Sequence, residues 1–170
     1  VTASVFCEML AYYEEQGISI IEALDQIYSE YGFHCERLKS LSLPGLDGRK
    51  KIENIMEYFR KFKSGSLFGQ VLFRFYDYKK QEQCLKSTDF TLEDFSVFPP
   101  SNVLSFSFES GLKVMMRPSG TEAKIKFYFS HHETIVDSSQ LLCQRKEKII
   151  SDLSCFQKNF MHELPKLLNL

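Results

Sequence analysis

Apolar residues recur at three- and four-residue intervals over 5–16, where Val5, Phe6, Met9, Leu10 and Tyr13 share one side until Gly17 stops the run. Ser19 opens a second helix. Glu22 stands three residues on, the spacing of a capping box, and Ile20, Ala23, Leu24, Ile27 and Tyr31 form the stripe that ends at Gly32. Two helices of this length cannot bury their own apolar sides, so the hairpin needs a partner. The pattern changes to alternation over 38–43, a strand whose buried face stays open, because Leu38 falls on one side and Leu41 and Leu43 on the other. Pro44-Gly45 marks a turn, and Asp47-Gly48 starts a helix over 49–62 with Ile52, Ile55, Met56 and Phe59 inward. Ser64-Gly65-Ser66 breaks it.

Val71, Phe73 and Phe75 then alternate with Leu72, Arg74 and Tyr76, a strand largely apolar on both sides. Residues 77–96 are polar, headed by Lys79-Lys80-Gln81-Glu82-Gln83, and read as a solvated loop closed by Pro99-Pro100. Short strands are predicted at 103–109, 112–116 and 124–130, with Ser110-Gly111 as a hairpin turn. A last helix begins near Asp137 or Ser138 and carries Leu141, Leu142, Ile149, Ile150, Leu153, Phe156, Phe160 and Leu164 at helical spacing. Strands gathered by hairpins with helices at both ends predict an α+β fold, an antiparallel sheet flanked by helices. Residues 37–170 form one domain, and residues 1–36 read as a helical remnant of another.

Composition narrows the partners. Hydrophobic residues make up 44% and charged residues 25% of 170, as in soluble globular domains, which excludes disordered, collagen-like and low-complexity chains. No apolar run approaches the roughly 18 residues that cross a bilayer. Lys+Arg 21 against Asp+Glu 22 leaves a net charge of −1. So even a balance gives no footprint for nucleic acid or an anionic membrane, and an anion must be held at a local site. The five cysteines are scattered with no C-x-x-C spacing, which reads as reduced thiols of a cytoplasmic protein, with neither a zinc site nor a disulfide framework. Val1-Thr2-Ala3-Ser4 carries no signal-like region and starts within a helical pattern, as in a piece of a longer chain.

One segment carries anion chemistry: Arg117-Pro118-Ser119-Gly120-Thr121-Glu122, between two strands and followed by Lys124 and Lys126. Arg117 offers a permanently charged fork that can meet two phosphate oxygens at once. Pro118 stiffens the strand exit, and Ser119 and Thr121 each add a hydroxyl beside a backbone N–H. Gly120 lets backbone approach a ligand and can take a positive φ. Successive N–H groups in such a turn form an anion nest, and Lys124 and Lys126 project on one face of the next strand. The alternative is a tight turn with an incidental arginine. Neither G-x-x-x-x-G-K-[ST] nor G-x-G-x-x-G is present.

Residues 117–128, RPSGTEAKIKFY, closely resemble the phosphate-binding loop in the last domain of the α-D-phosphohexomutases, the phosphoglucomutase/phosphomannomutase superfamily. Ser101-Asn102-Val103-Leu104, then Glu109-Ser110-Gly111 and residues 112–116, resemble the strands leading into that loop. Phe6-Cys7-Glu8-Met9, Tyr12-Tyr13, Gln16-Gly17, Ile27-Tyr28 and Tyr31-Gly32 resemble helices at the end of the family's third domain. The resemblance implies the end of an α/β third domain, then a fourth domain of TATA-box-binding-protein-like fold. In that domain Arg117, Ser119, Gly120, Thr121 and Lys126 hold the non-reacting phosphate of a sugar phosphate. It also implies a parent isomerase that moves phosphate between O1 and O6 of a hexose through a phosphoserine and a bisphosphorylated intermediate. Mg²⁺ and glucose 1,6-bisphosphate are its cofactors, and its partners are the sugar phosphate and the remaining domains. Ala123 stands where the family often has Pro. The catalytic serine and the Mg²⁺ loop are expected outside this chain. Thr2-Ala3-Ser4 mimics the start of the phosphoserine loop, but Val5 replaces its His, and Asp47-Gly48 lacks the repeated carboxylates that Mg²⁺ takes. A stand-alone non-catalytic phosphate module, or a mutase for pentose or N-acetylglucosamine phosphates, is the alternative.

The other chemical candidates read as structure. His131-His132 is a loop pair whose neighbours on a strand face opposite ways, His34 and His162 have no partner ligands at metal spacing, and Phe73, Phe75, Tyr76 and Tyr78 are core aromatics.

Overall fold

The computed structural model describes residues 1–85, 99–134 and 139–168. Four helices and seven strands follow in the order α1 (Thr2–Glu15), α2 (Ile20–Tyr31), β1 (Phe33–Ser42), α3 (Gly48–Arg60), β2 (Ser66–Leu67), β3 (Gln70–Asp77), β4 (Glu82–Leu85), β5 (Leu104–Phe108), β6 (Leu112–Pro118), β7 (Lys124–Glu133) and α4 (Ser139–Leu168). The start expected for the last helix, near 137–138, lies outside the described residues. Among the described residues no helix is long and apolar enough to cross a membrane.

The strands form one sheet in the order β1-β7-β6-β5-β3-β2, with β4 on β3. The β2–β3, β3–β4, β3–β5, β5–β6 and β6–β7 pairs are all antiparallel, so the fold is α+β with an antiparallel sheet. Ser110-Gly111 makes the β5–β6 turn, with Gly111 at φ 82° and its N–H on the Phe108 carbonyl. Two departures from the sequence reading involve β3 and its partner β4. The charged run at 79–83 is not all loop: its end enters β4, where Arg74 to Asp77 pair with Leu85 to Glu82. The apolar look of both sides of β3 has a cause in a register shift between Leu72 and Arg74, which puts Leu72 and Phe75, three apart, on the same core.

The chain divides into two compact units, 1–34 with 132–150, and 35–131 with 151–170. In the second unit, α3 and the latter part of α4 cover one face of the sheet. Ile52, Ile55, Met56 and Phe59 of α3 and Leu153, Phe156, Phe160 and Leu164 of α4 meet the inward residues of β3, β5, β6 and β7. Phe160 sits among five phenylalanine rings, with Phe68 at 4.4 Å and Phe127 and Phe129 each at 5.3 Å between centroids. Such edge and offset arrangements add to the area they bury. Arg60 enters this interior only because it is paired: its Nε donates to Asp77 at 3.0 Å, and its other nitrogens reach Glu57 and Asn102.

In the first unit, Ser19 and Glu22 form the capping box in full: the Glu22 N–H donates to Ser19 Oγ at 3.2 Å, and the Ser19 N–H donates to the Glu22 carboxylate at 2.8 Å. Most of the apolar stripes stay open: Val5, Phe6 and Met9 of α1 and Leu24, Ile27 and Tyr31 of α2 are exposed, while Ala23 is buried. Lys146 is held between Asp25 and the rings of Tyr28 and Phe33. The five cysteines are unbonded.

Candidate phosphate-binding loop

The loop 119–123 joins β6 to β7 at the end of their ladder, so its entry and exit are fixed by strand pairing. Arg117 faces Lys126 in the register, and Pro118 faces Ile125. Alternation on the two strands decides which way each side chain goes. Val114, Met116, Ile125 and Phe127 are buried in the core, so Arg117, Lys124 and Lys126 stand on the other face. Arg117 is exposed and the two lysines are half-buried. Among the described residues none of the three side chains has an ion-pair or hydrogen-bond partner. Two like charges directly opposite on a sheet face repel, and nothing of opposite sign stands between them.

The loop itself is internally tied. The Ser119 N–H donates to the Lys124 carbonyl at 2.8 Å, and the Lys124 N–H to the Glu122 carbonyl at 2.8 Å. The Glu122 N–H donates to Ser119 Oγ at 3.4 Å, and the Ser119 and Thr121 hydroxyl oxygens lie 3.5 Å apart. Among the described residues the N–H groups of Gly120 and Thr121 have no acceptor. Because Ser119 Oγ already accepts a hydrogen bond, its own hydrogen is free to be donated. Two backbone donors and two hydroxyls are thus gathered next to three cations, which is chemistry suited to an oxyanion.

Gly120 departs from expectation in one respect. It is not among the glycines with positive φ, so left-handed geometry is not its role. What the missing side chain leaves is space: a Cβ there would meet nothing within 4 Å.

Behind the loop, a cleft of about 230 Å³ is lined by Arg49, Ile52, Glu53, Asn102, Ser119 and Gly120, among others. Arg49 lies in the first turn of α3, and its Nη2 donates to the Thr121 carbonyl at 3.2 Å. Sequence reading missed this residue: its local signal, three cations at the start of a helix, does not name a partner 72 residues away. Elsewhere on the outward face a trough of about 530 Å³ is lined by Leu38, Lys113, Met115 and Tyr128, among others.

The remaining candidates fall away from this loop. Ser4 lies in the first turn of α1, and Asp47 precedes α3 without a side-chain capping bond. His131 and His132 belong to strand β7 and not to a loop. The buried His131 Nε2 lies 3.1 Å from the Ser110 carbonyl, and His132 stacks on His34 at 4.1 Å. Among the described residues no three His, Cys, Asp or Glu side chains converge as metal ligands.

A phosphoglucomutase of Staphylococcus aureus is 40% identical over 114 residues, which is 67% of this chain and 20% of that protein. A phosphoglucomutase of Staphylococcus saprophyticus is 36% identical over 117 residues, 69% of this chain and 21% of its own. The chain carries a phosphoglucomutase-family domain. It spans about a fifth of the length of these phosphoglucomutases and fits a C-terminal piece of a phosphohexomutase. No family model matches it. Among solved structures, the open form of the exocytosis-sensitive phosphoprotein parafusin, a phosphoglucomutase from Paramecium, overlaps 89% of this chain and 26% of its own. That overlap is at TM-score 0.44 and 17% identity.

Proposed function

We propose that this chain supplies the phosphate clamp of a phosphohexomutase, an isomerase that interconverts hexose 1-phosphates and hexose 6-phosphates, with glucose phosphates as its first candidates. In this reading residues 1–36 end the third domain and residues 37–170 form the fourth. Arg117, Ser119, Gly120, Thr121 and Lys126 take the phosphate that is not reacting. The observation that carries the proposal is the unpartnered Arg117–Lys126 pair beside the free N–H groups of Gly120 and Thr121. A dianionic phosphate placed there would meet both cations and relieve their mutual repulsion.

The chemistry of such a mutase makes sense of a clamp built this way. A bisphosphorylated intermediate presents phosphate first from one end of the sugar and then from the other. A clamp serving both orientations must recognise phosphate alone, by charge and N–H donors. Its contribution is positional: it fixes one end of the substrate so that the other reaches the phosphoryl donor. The phosphoserine and the Mg²⁺ of the reaction belong, in this proposal, to other parts of the parent enzyme. The described residues offer no converging set of metal ligands, and no step through a metal is assigned to them.

The test is an amide NMR titration of the chain with glucose 1,6-bisphosphate, run beside Arg117→Ala. Binding is expected at a Kd on the order of millimolar, since one clamp acts alone. Shifts should centre on 117–126 and disappear in the variant. An unmoved loop up to tens of millimolar, or an Arg117→Ala variant that binds as well as the parent chain, overturns the proposal.

A further inference from the structure

A loop that must offer its N–H groups to an anion has to keep its carbonyl oxygens away from it, because a carbonyl dipole aimed at a phosphate oxygen repels it. In this loop the peptide between Thr121 and Glu122 is held at both ends. Its N–H is taken by Ser119 Oγ at 3.4 Å and its carbonyl by Arg49 Nη2 at 3.2 Å. The carbonyl is therefore turned toward α3, and the N–H groups of Gly120 and Thr121 are left for a ligand. The surrounding segment braces the same place: the Leu43 N–H donates to the Ala123 carbonyl at 2.9 Å, and Gly48 packs tightly against the Leu43 carbonyl and Ala123.

Arg49 is also in the wrong place for a helix. The first turn of α3 holds Arg49, Lys50 and Lys51 with no acidic residue, and cations at a helix N-terminus oppose the macrodipole. A residue that breaks a local rule is explained by what it does elsewhere. Glu53, one turn along, lines the same cleft, yet among the described residues Arg49 forms no ion pair with it or with any other carboxylate. Its guanidinium is given to the loop carbonyl.

Resting on the clamp assigned above, we propose that Arg49 is a positioning residue of the phosphate site, acting through the Thr121 carbonyl to hold the loop in its anion-accepting form. The ligand class is a phosphate monoester dianion. The experiment titrates the full chain with inorganic phosphate and with glucose 6-phosphate, following backbone amides, for the parent chain, Arg49→Met, Arg49→Lys and Arg117→Ala. Arg49→Met keeps the stem and loses the donor. It is expected to shift the amide signals of residues 120–122 before any ligand is added and to weaken both ligands about fivefold, the scale of one hydrogen bond. Arg49→Lys, which restores an N–H donor, should recover most of both effects.

Binding by Arg49→Met within twofold of the parent chain overturns the proposal and leaves the clamp intact. So does weakened binding with the free-state signals of 120–122 unmoved, which would make Arg49 a direct ligand. Loop signals of the parent chain that stay still with either ligand overturn this proposal and the clamp together, as does Arg117→Ala binding at parental strength.

Discussion

Lys126→Gln tests the proposed clamp by changing stability and binding in opposite directions. Arg117 and Lys126 are ladder partners on one sheet face, which sets their Cβ atoms about 5 Å apart, and like charges so placed destabilise by about 0.2–1 kcal/mol. Arg117 is exposed and Lys126 only half-buried, so about 0.5 kcal/mol is the reasonable share. Without ligand the variant should be the more stable chain by that amount, about 1–2 °C in Tm. With phosphate the order inverts. Losing one charge-assisted contact at a partly solvated site weakens Kd about fivefold. At a phosphate concentration of about 100 parental Kd, the parent chain gains about 2.7 kcal/mol and the variant about 1.8, so the ligand difference outweighs the repulsion removed. Urea unfolding with and without phosphate, at matched ionic strength, reads both states. A variant that is less stable in both conditions, or more stable in both, refutes the account of the pair.

Other outcomes follow from the same structure. Arg60→Met should cost about 3 kcal/mol in urea unfolding, because it leaves Asp77 buried without its cation, and adding Asp77→Asn should recover part of the loss. Gly48→Ala places a Cβ 1.8 Å from the Leu43 carbonyl oxygen and 3.0 Å from the Ala123 methyl, so backbone must move. About 2 kcal/mol of stability should go with it, and the amide signals of 119–124 should shift. The hydrogen bond from the Ser19 N–H, helped by the Ser19 side chain, holds the Glu22 carboxyl below its ordinary 4.5. A depressed carboxyl stabilises α2 above the unfolded value, and that contribution is lost as pH falls through the lower, folded one. Amide exchange of α2 should therefore accelerate between about pH 5 and pH 3 after correction for the intrinsic rate; Glu22→Gln should abolish the dependence, and Ser19→Ala, which keeps the backbone N–H, should only reduce it.

Where local pattern and tertiary context agree, the sequence reading was close. Helix α3, the β5–β6 hairpin and the α2 capping box each depend on residues within a few positions of one another, and each formed as expected. Strand β1 extends five residues earlier than its alternation suggested, since Glu36, Arg37 and Lys39 are exposed and blur the pattern. Strand β4 was illegible for a different reason. Its polar residues have little strand preference of their own, and they pair because β3 offers them a row of backbone donors and acceptors. The bulge in β3 could not be seen either, because apolar residues on both sides hide a change of parity. In the candidate site, residues 117–126 could be singled out from the sequence because they are contiguous. Arg49, brought in from α3, and Asn102, tied to Arg60 from β5's approach, become neighbours of the loop only through the fold.

The internal ties of the 119–123 loop bear on how fast a ligand comes and goes. Its peptides are already fastened to one another, to Arg49 and to the strands before any anion arrives, so little conformational freedom remains to be lost on capture. Entry should proceed without a rearrangement step, at a rate set by encounter and raised by the nearby cations, and variation in affinity among loop mutants should fall on the dissociation rate. A weak ligand on so rigid a perch exchanges in well under a millisecond. In the proposed clamp, quick release comes from the same ties that orient the anion.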